Sequence, residues 1–316
     1  MKENTWYLNI LRIFAIYWVV LIQHNFSPFH KGQFWNWVDT HDNLMFPIES
    51  KFSYITIFSM PLCFFISGYV ASYTKTFYKN DFKWMLNVKL KRLFIPCVVW
   101  GAFFCLVKEH TLNLKVFTIG YAHLWFVGYL FWFFVISGFI IKYTKIDIRY
   151  VCIVSLVITI IIQIMMIKDG IVKNFPLNYT YFLSGYCLRS RVGIISRKLI
   201  GAAFVVICFF YLEYNLVFLQ TIYVLLGILL IISFMRKFNI KSSKLTELLN
   251  TTSYGVYIFH LIILWFIYNL IINVFSLNEW MVLNGWYVST ILAGLTIPLS
   301  ISITIVLRKA GVKYLV

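Results

Sequence analysis

Residues 8–26 read LNILRIFAIYWVVLIQHNF, an apolar run with a single arginine, Arg12, near its start and a single histidine, His24, near its end. A bilayer core of roughly 30 Å takes about 20 residues of helix, so this run is long enough to cross one. It contains an arginine and lacks a small-residue cleavage site, which reads as a retained helix and not a removable leader. Working outward, comparable stretches recur at 52–74, 93–109, 123–143, 150–167, 177–189, 199–213, 216–235, 254–275 and 287–307. The sixth of them is short, and is expected either to reach back to about Gly170 or to be partly re-entrant. The fold class that follows is all-α: a polytopic transmembrane bundle of about ten helices.

Composition agrees with that reading. Of 316 residues, 61% are apolar and the mean hydropathy is +0.82, more than a soluble core of this length can enclose. Aromatic residues reach 20%, and Trp and Tyr cluster near the ends of apolar runs, as in interfacial belts. The net charge of +17 raises nucleic acid as a partner, but its distribution points to topology instead. Lys31, Lys51, Lys108, Lys115, Lys168 and Lys173 fall in segments on one side and Arg12 within a span, whereas every other Lys and Arg falls on the opposite side. By the positive-inside rule that richer side is cytoplasmic, and both termini lie there. Cys63, Cys97, Cys105, Cys152, Cys187 and Cys208 are scattered without a CxxC pair, so neither a disulfide framework nor a metal site is expected. No internal repeat is apparent, and residues 1–316 read as one membrane domain.

Ionisable residues inside hydrocarbon are costly and therefore candidates for function. Arg12 and His24 stand about 18 Å apart along the helix axis, too far to be partners, and would mark the inner and outer ends of one site. Snorkelling of Arg12 to the headgroups and an interfacial His24 are the alternative uses.

Five segments in order resemble the acyltransferase-3 family of bacterial membrane O-acyltransferases. LRIFAIYWVVLIQH resembles its Arg-to-His motif, and MPLCFFISGYV at 60–70 its Pro-Leu-Phe-Phe-x-x-Ser-Gly signature. VKLKRLFIPCVVW at 88–100, HLWFVGYLFWF at 123–133 and SYGVYIFHLII at 253–263 are similar to further family patterns. One departure matters. Eleven residues separate Arg12 from His24 where the family usually has ten, which on an ideal helix leaves the two about 120° apart instead of about 20°. A π-bulge would absorb the extra residue.

The resemblance implies a bacterial multi-pass cell-membrane enzyme that moves an acyl group, acetyl by preference, from cytoplasmic acyl-CoA (acetyl-CoA) to a hydroxyl of an extracytoplasmic glycan or its lipid-linked precursor. Acetyl-CoA would be a co-substrate, with no permanently bound cofactor, no metal and no nucleic acid; oligomeric state is left open. Arg12, Lys89, Lys91 and Arg92 would hold CoA at the inner mouth, with ordinary positive-inside charge the competing use of the loop cations. His24 suits a general base. Asp39, Asp42 or Glu49 would orient it, and the sequence does not choose among them. His123 and Trp125 would line the acceptor entrance at the outer side. His260 would touch the CoA arm from the cytoplasmic half of its helix. Ser67 and Gly68 are expected to serve close packing. The competing function is a transporter or flippase of a glycan or lipid intermediate, against which stand the few intramembrane charges and the lack of a repeat.

Overall fold

The structure, a computed structural model, describes residues 6–24, 47–72, 81–165, 167, 170–189, 196–214, 219–238, 242–275, 285–312 and 315. Asp39 and Asp42 lie outside the described residues, and the side chains of His24 and Glu49 do as well. The described residues are mostly helical, without a strand among them. Helix α1 (Trp6–Trp18) continues as a π turn over Val19–His24 and is followed by α2 (Pro47–Ala71). Next come α3 (Phe82–Lys89), a π segment at Leu90–Phe94, α4 (Ile95–Glu109) and the short α5 (Lys115–Thr118). A 3-10 turn at Ala122–Leu124 leads into α6 (Trp125–Tyr143). The remainder is α7 (Ile148–Ile164), α8 (Gly170–Leu188), α9 (Arg197–Tyr214), α10 (Gln220–Met235), α11 (Lys244–Phe275) and α12 (Gly285–Lys309).

Local chemistry explains several boundaries. Asp81 caps α3 by accepting from the Trp84 backbone N–H at 3.0 Å. Asp147 caps α7 through the Arg149 N–H at 2.9 Å and also accepts from the Arg149 guanidinium, which holds its carboxyl below the ordinary carboxylate range. Pro96 has no N–H to give to the preceding turn, and there the helix widens, with Ile95 bonding back five residues to Leu90. The sixth span does reach Gly170. It runs through Pro176, whose own carbonyl accepts from Thr180 Oγ1 at 2.9 Å and Ser155 Oγ at 3.3 Å, tying α8 to α7 at that level.

Among the described residues three stretches, Phe82–Glu109, Lys115–Tyr143 and Lys244–Ile267, are long and apolar enough to cross a membrane, and four further apolar helices are shorter. Outward faces are greasy: Ile153, Val157, Ile161 and Ile164 on α7, with Val205 and Phe209 on α9, are exposed. Inside, Phe133 sits among Phe64, Phe175, Tyr179 and Phe182 at ring distances of 5.0–5.9 Å. Lipid tails are as apolar as these rings, so such contacts contribute through packing and not through release of water.

The tightest crossing joins α2 to α8. A Cβ on Gly68 would lie 1.9 Å from the Phe182 carbonyl oxygen, and one on Gly185 would lie 2.0 Å from that of Phe65. Each glycine thus meets the carbonyl three residues before the other. The flanking sequences match as well, FFISGYV at 64–70 and YFLSGYC at 181–187. A short repeat is therefore present where none was apparent, and its two copies pack on each other about a local two-fold axis. Gly68 serves close packing, as expected, and Ser67 Oγ donates to the Cys63 carbonyl of its own helix at 2.8 Å.

Candidate functional site

Helix α1 is held by its neighbours in a defined register. Tyr7 and Tyr69 hydroxyls are 3.2 Å apart, and the π turn that follows α1 packs on α2 as well, so α1 and α2 run antiparallel. Carried outward, this register sets position 24 level with the first turns of α2, which include Glu49; the π turn and α2 pack together. Arg12 is half-buried. Its Nη2 donates to Oδ1 of Asn250 on α11, and its Nε is buried with no hydrogen-bond partner among the described residues.

Arg12 stands six residues into α1 and Asn250 six residues into α11. The π turn also packs on α11. An antiparallel pairing would carry that turn past the start of α11, so the two helices run in the same direction. The π turn then decides phase. Six steps at about 100° and six at about 82°, the pitch of a helix of about 4.4 residues per turn, bring position 24 within about 10° of position 12. The extra residue between Arg12 and His24 is thereby absorbed, and both positions share one face.

On α11 the residues Asn250, Tyr254, Tyr257 and His260 follow at spacings of four, three and three. They occupy an arc of about 120° and cover about 15 Å of the axis. Tyr254 Oη is buried without a hydrogen-bond partner among the described residues. Tyr257 Oη donates to the carbonyl of His123. His123 in turn places Nε2 2.9 Å from the Ile258 carbonyl, and its ring is 4.9 Å from that of His260. Both imidazoles are buried. A carbonyl can only accept, so His123 carries its proton on Nε2. By the same logic His260, whose Nδ1 is 2.7 Å from the Tyr257 carbonyl, carries its proton on Nδ1. The remaining nitrogen of each ring is an acceptor.

The loop before α6 is built to put His123 there. Gly120 adopts φ +91°, and a Cβ on it would lie 2.6 Å from the Leu124 carbonyl oxygen; Ala122 accepts a left-handed φ of 49° in the next turn. Tyr121 Oη anchors the loop by donating to Glu109 Oε1 at 2.5 Å. Trp125 is half-buried, its ring 5.4 Å from Tyr129 and 6.2 Å from Phe64. At the opposite end Lys91 and Arg92 are exposed on the second π segment, and Lys89 is half-buried with Nζ 3.6 Å from the centre of the Phe134 ring. That segment packs on α6, and Arg12 on α2 and α11.

The sequence assigned His123 to the acceptor entrance and His260 to the CoA arm. In the structure they touch, and His260 lies midway along the 32-residue α11. Position 24, about 18 Å beyond Arg12, is level with His260, about 15 Å beyond Asn250. Asn250 was not singled out from the sequence, although the spacings linking it to Tyr254, Tyr257 and His260 are those of one helical face.

Among known families, the profile described as Acyltransferase domain, of the acyltransferase-3 type, matches residues 5–305. No curated protein and no solved structure matches the chain. A match over nearly the whole chain, on apolar helices of this kind, establishes that the protein belongs to the acyltransferase-3 family and is a membrane acyltransferase.

Proposed function

We propose that the protein is an O-acyltransferase of the bacterial cell membrane that moves an acyl group, acetyl by preference, from cytoplasmic acyl-CoA to a hydroxyl of a cell-surface glycan or its lipid-linked precursor. The observation that carries this reading is the polar line inside an apolar bundle: Arg12 on Asn250, then Tyr254 and Tyr257, then the His123–His260 pair at the level of position 24. With both termini cytoplasmic, Arg12 stands toward the inner leaflet and the histidines deeper, toward the outer one. CoA phosphates cannot enter hydrocarbon, so the nucleotide stays at the inner mouth near Lys89, Lys91 and Arg92 while the uncharged pantetheine arm carries the thioester along the line.

At the far end His24 accepts the proton of the acceptor hydroxyl as that oxygen attacks the thioester carbonyl carbon. The C–S bond breaks and the CoA thiolate takes the proton back from the imidazolium, leaving the ester and CoA. One of Asp39, Asp42 or Glu49 orients His24. His123 and Trp125 contact the acceptor, and His260 lies beside His123.

The test uses the purified protein, reconstituted with a lipid and glycan extract of its source cell and supplied with acetyl-CoA labelled in the acetyl group. Release of CoA with label in the extract is the expected result, reduced by about 10²-fold or more in His24→Ala, the range of general-base effects. Movement of glycan across the membrane without CoA release would establish a transporter and overturn the reading.

A further inference from the structure

We infer that Asn250 is a positioning residue for the CoA site, holding Arg12 so that the pair offers only hydrogen-bond donors to an acceptor-rich part of CoA. The inference rests on the acyl-CoA reading above. A guanidinium has five N–H donors and no acceptor, so the Asn250 amide must turn its oxygen toward Arg12, where Nη2 is found. The Asn250 NH2 group therefore faces away from the guanidinium, as another donor. Arg12 keeps Nε buried with no partner among the described residues, so its donor capacity is not used up by them.

An acid in place of Asn250 would have paired with Arg12 more strongly, but it would have cancelled the charge and offered acceptors outward. An amide fixes the fork and leaves the positive charge intact. The ligand chemistry this suits is a phosphate or a run of amide carbonyls, both of which CoA supplies. Asn250 also stands on a stable platform: its own carbonyl accepts from Ser253 Oγ at 2.9 Å within α11.

The experiment is calorimetric titration of the full chain in detergent with CoA itself, alongside thermal unfolding. Asn250→Asp is expected to weaken CoA binding at least tenfold while the unfolding midpoint holds or rises, because Asp and Arg12 form an ion pair. Thr251→Asp, an acid on the exposed side of the same turn, is expected to change affinity less than twofold. A purely structural Asn250 predicts the reverse for Asn250→Asp: altered stability with CoA affinity unchanged, and that result overturns the inference. Should Asn250→Asp fail to fold, Asn250→Ala decides by the same titration, with a smaller loss expected and wild-type affinity fatal. A wild-type protein that does not bind CoA at all would instead sink the donor assignment on which the inference rests.

Discussion

At the scale of single residues, the informative side chains are those whose hydrogen bonds fix a charge or a tautomer. His123 and His260 each hand one N–H to a backbone carbonyl, which commits the other nitrogen to accepting. Substituting His260 by Ala would leave the Tyr257 and Val256 carbonyls to their helical partners and remove one acceptor from the site, whereas Gln keeps a polar group of similar reach. His260→Ala is therefore expected to lower acyl-transfer turnover by at least tenfold and His260→Gln by less, with both proteins folding, as measured by CoA release and by thermal unfolding in detergent. Equal activity of His260→Ala and wild type would remove His260 from the site. Sequence reading picked out both histidines because they stand in two of the segments that resemble the family, HLWFVGYLFWF and SYGVYIFHLII. It could not pair them, since nothing in the linear order says that positions 123 and 260 meet.

Elements carry two further predictions. The first concerns the π turn. If it exists to keep position 24 in phase with position 12, deleting Val20 should let the segment relax to a regular helix with the family's usual spacing, about 20° out of phase, and turnover should stay within about tenfold of wild type. Inserting one alanine after Val20 should rotate position 24 by about 100° and abolish turnover. Equal loss in both variants would mean that phase is not what the turn provides. The second concerns the α2–α8 crossing. A methyl group on either glycine must displace backbone and not a pliable side chain, so Gly68→Ala and Gly185→Ala should each cost about 3 kcal/mol, at the upper end for overpacking. Thermal unfolding in detergent measures this, and near wild-type midpoints would show that the helices can separate cheaply. Gly68 was visible in the sequence as part of a small pair with Ser67; its counterpart Gly185 was not, because the match between 64–70 and 181–187 covers only seven residues.

On the scale of the whole molecule, the distribution of Lys and Arg makes orientation testable. A membrane-impermeant maleimide should label Thr111→Cys in intact cells and Lys145→Cys only after the membrane is opened, since these positions fall on opposite sides in the positive-inside assignment. Reversed labelling would invert the bundle and put the Arg12 end on the wrong side for cytoplasmic CoA.

The sequence alone determined where the apolar spans lie, and the family, because span length and side-chain polarity are local properties that lipid enforces segment by segment; the helices over 82–109 and 244–275 begin about ten residues before their apolar spans, where the chain turns polar. It also marked Arg12 and His24 as ionisable residues within one apolar run. Tertiary structure decided the rest: that a π turn realigns positions 12 and 24, that Arg12 bonds to Asn250, that two histidines 137 positions apart share a site, and that two matching segments cross through their glycines. Those outcomes depend on which helix faces which and at what rotation, and in a bundle whose apolar surfaces are nearly interchangeable that choice is made by packing among distant residues, not by any one stretch of chain.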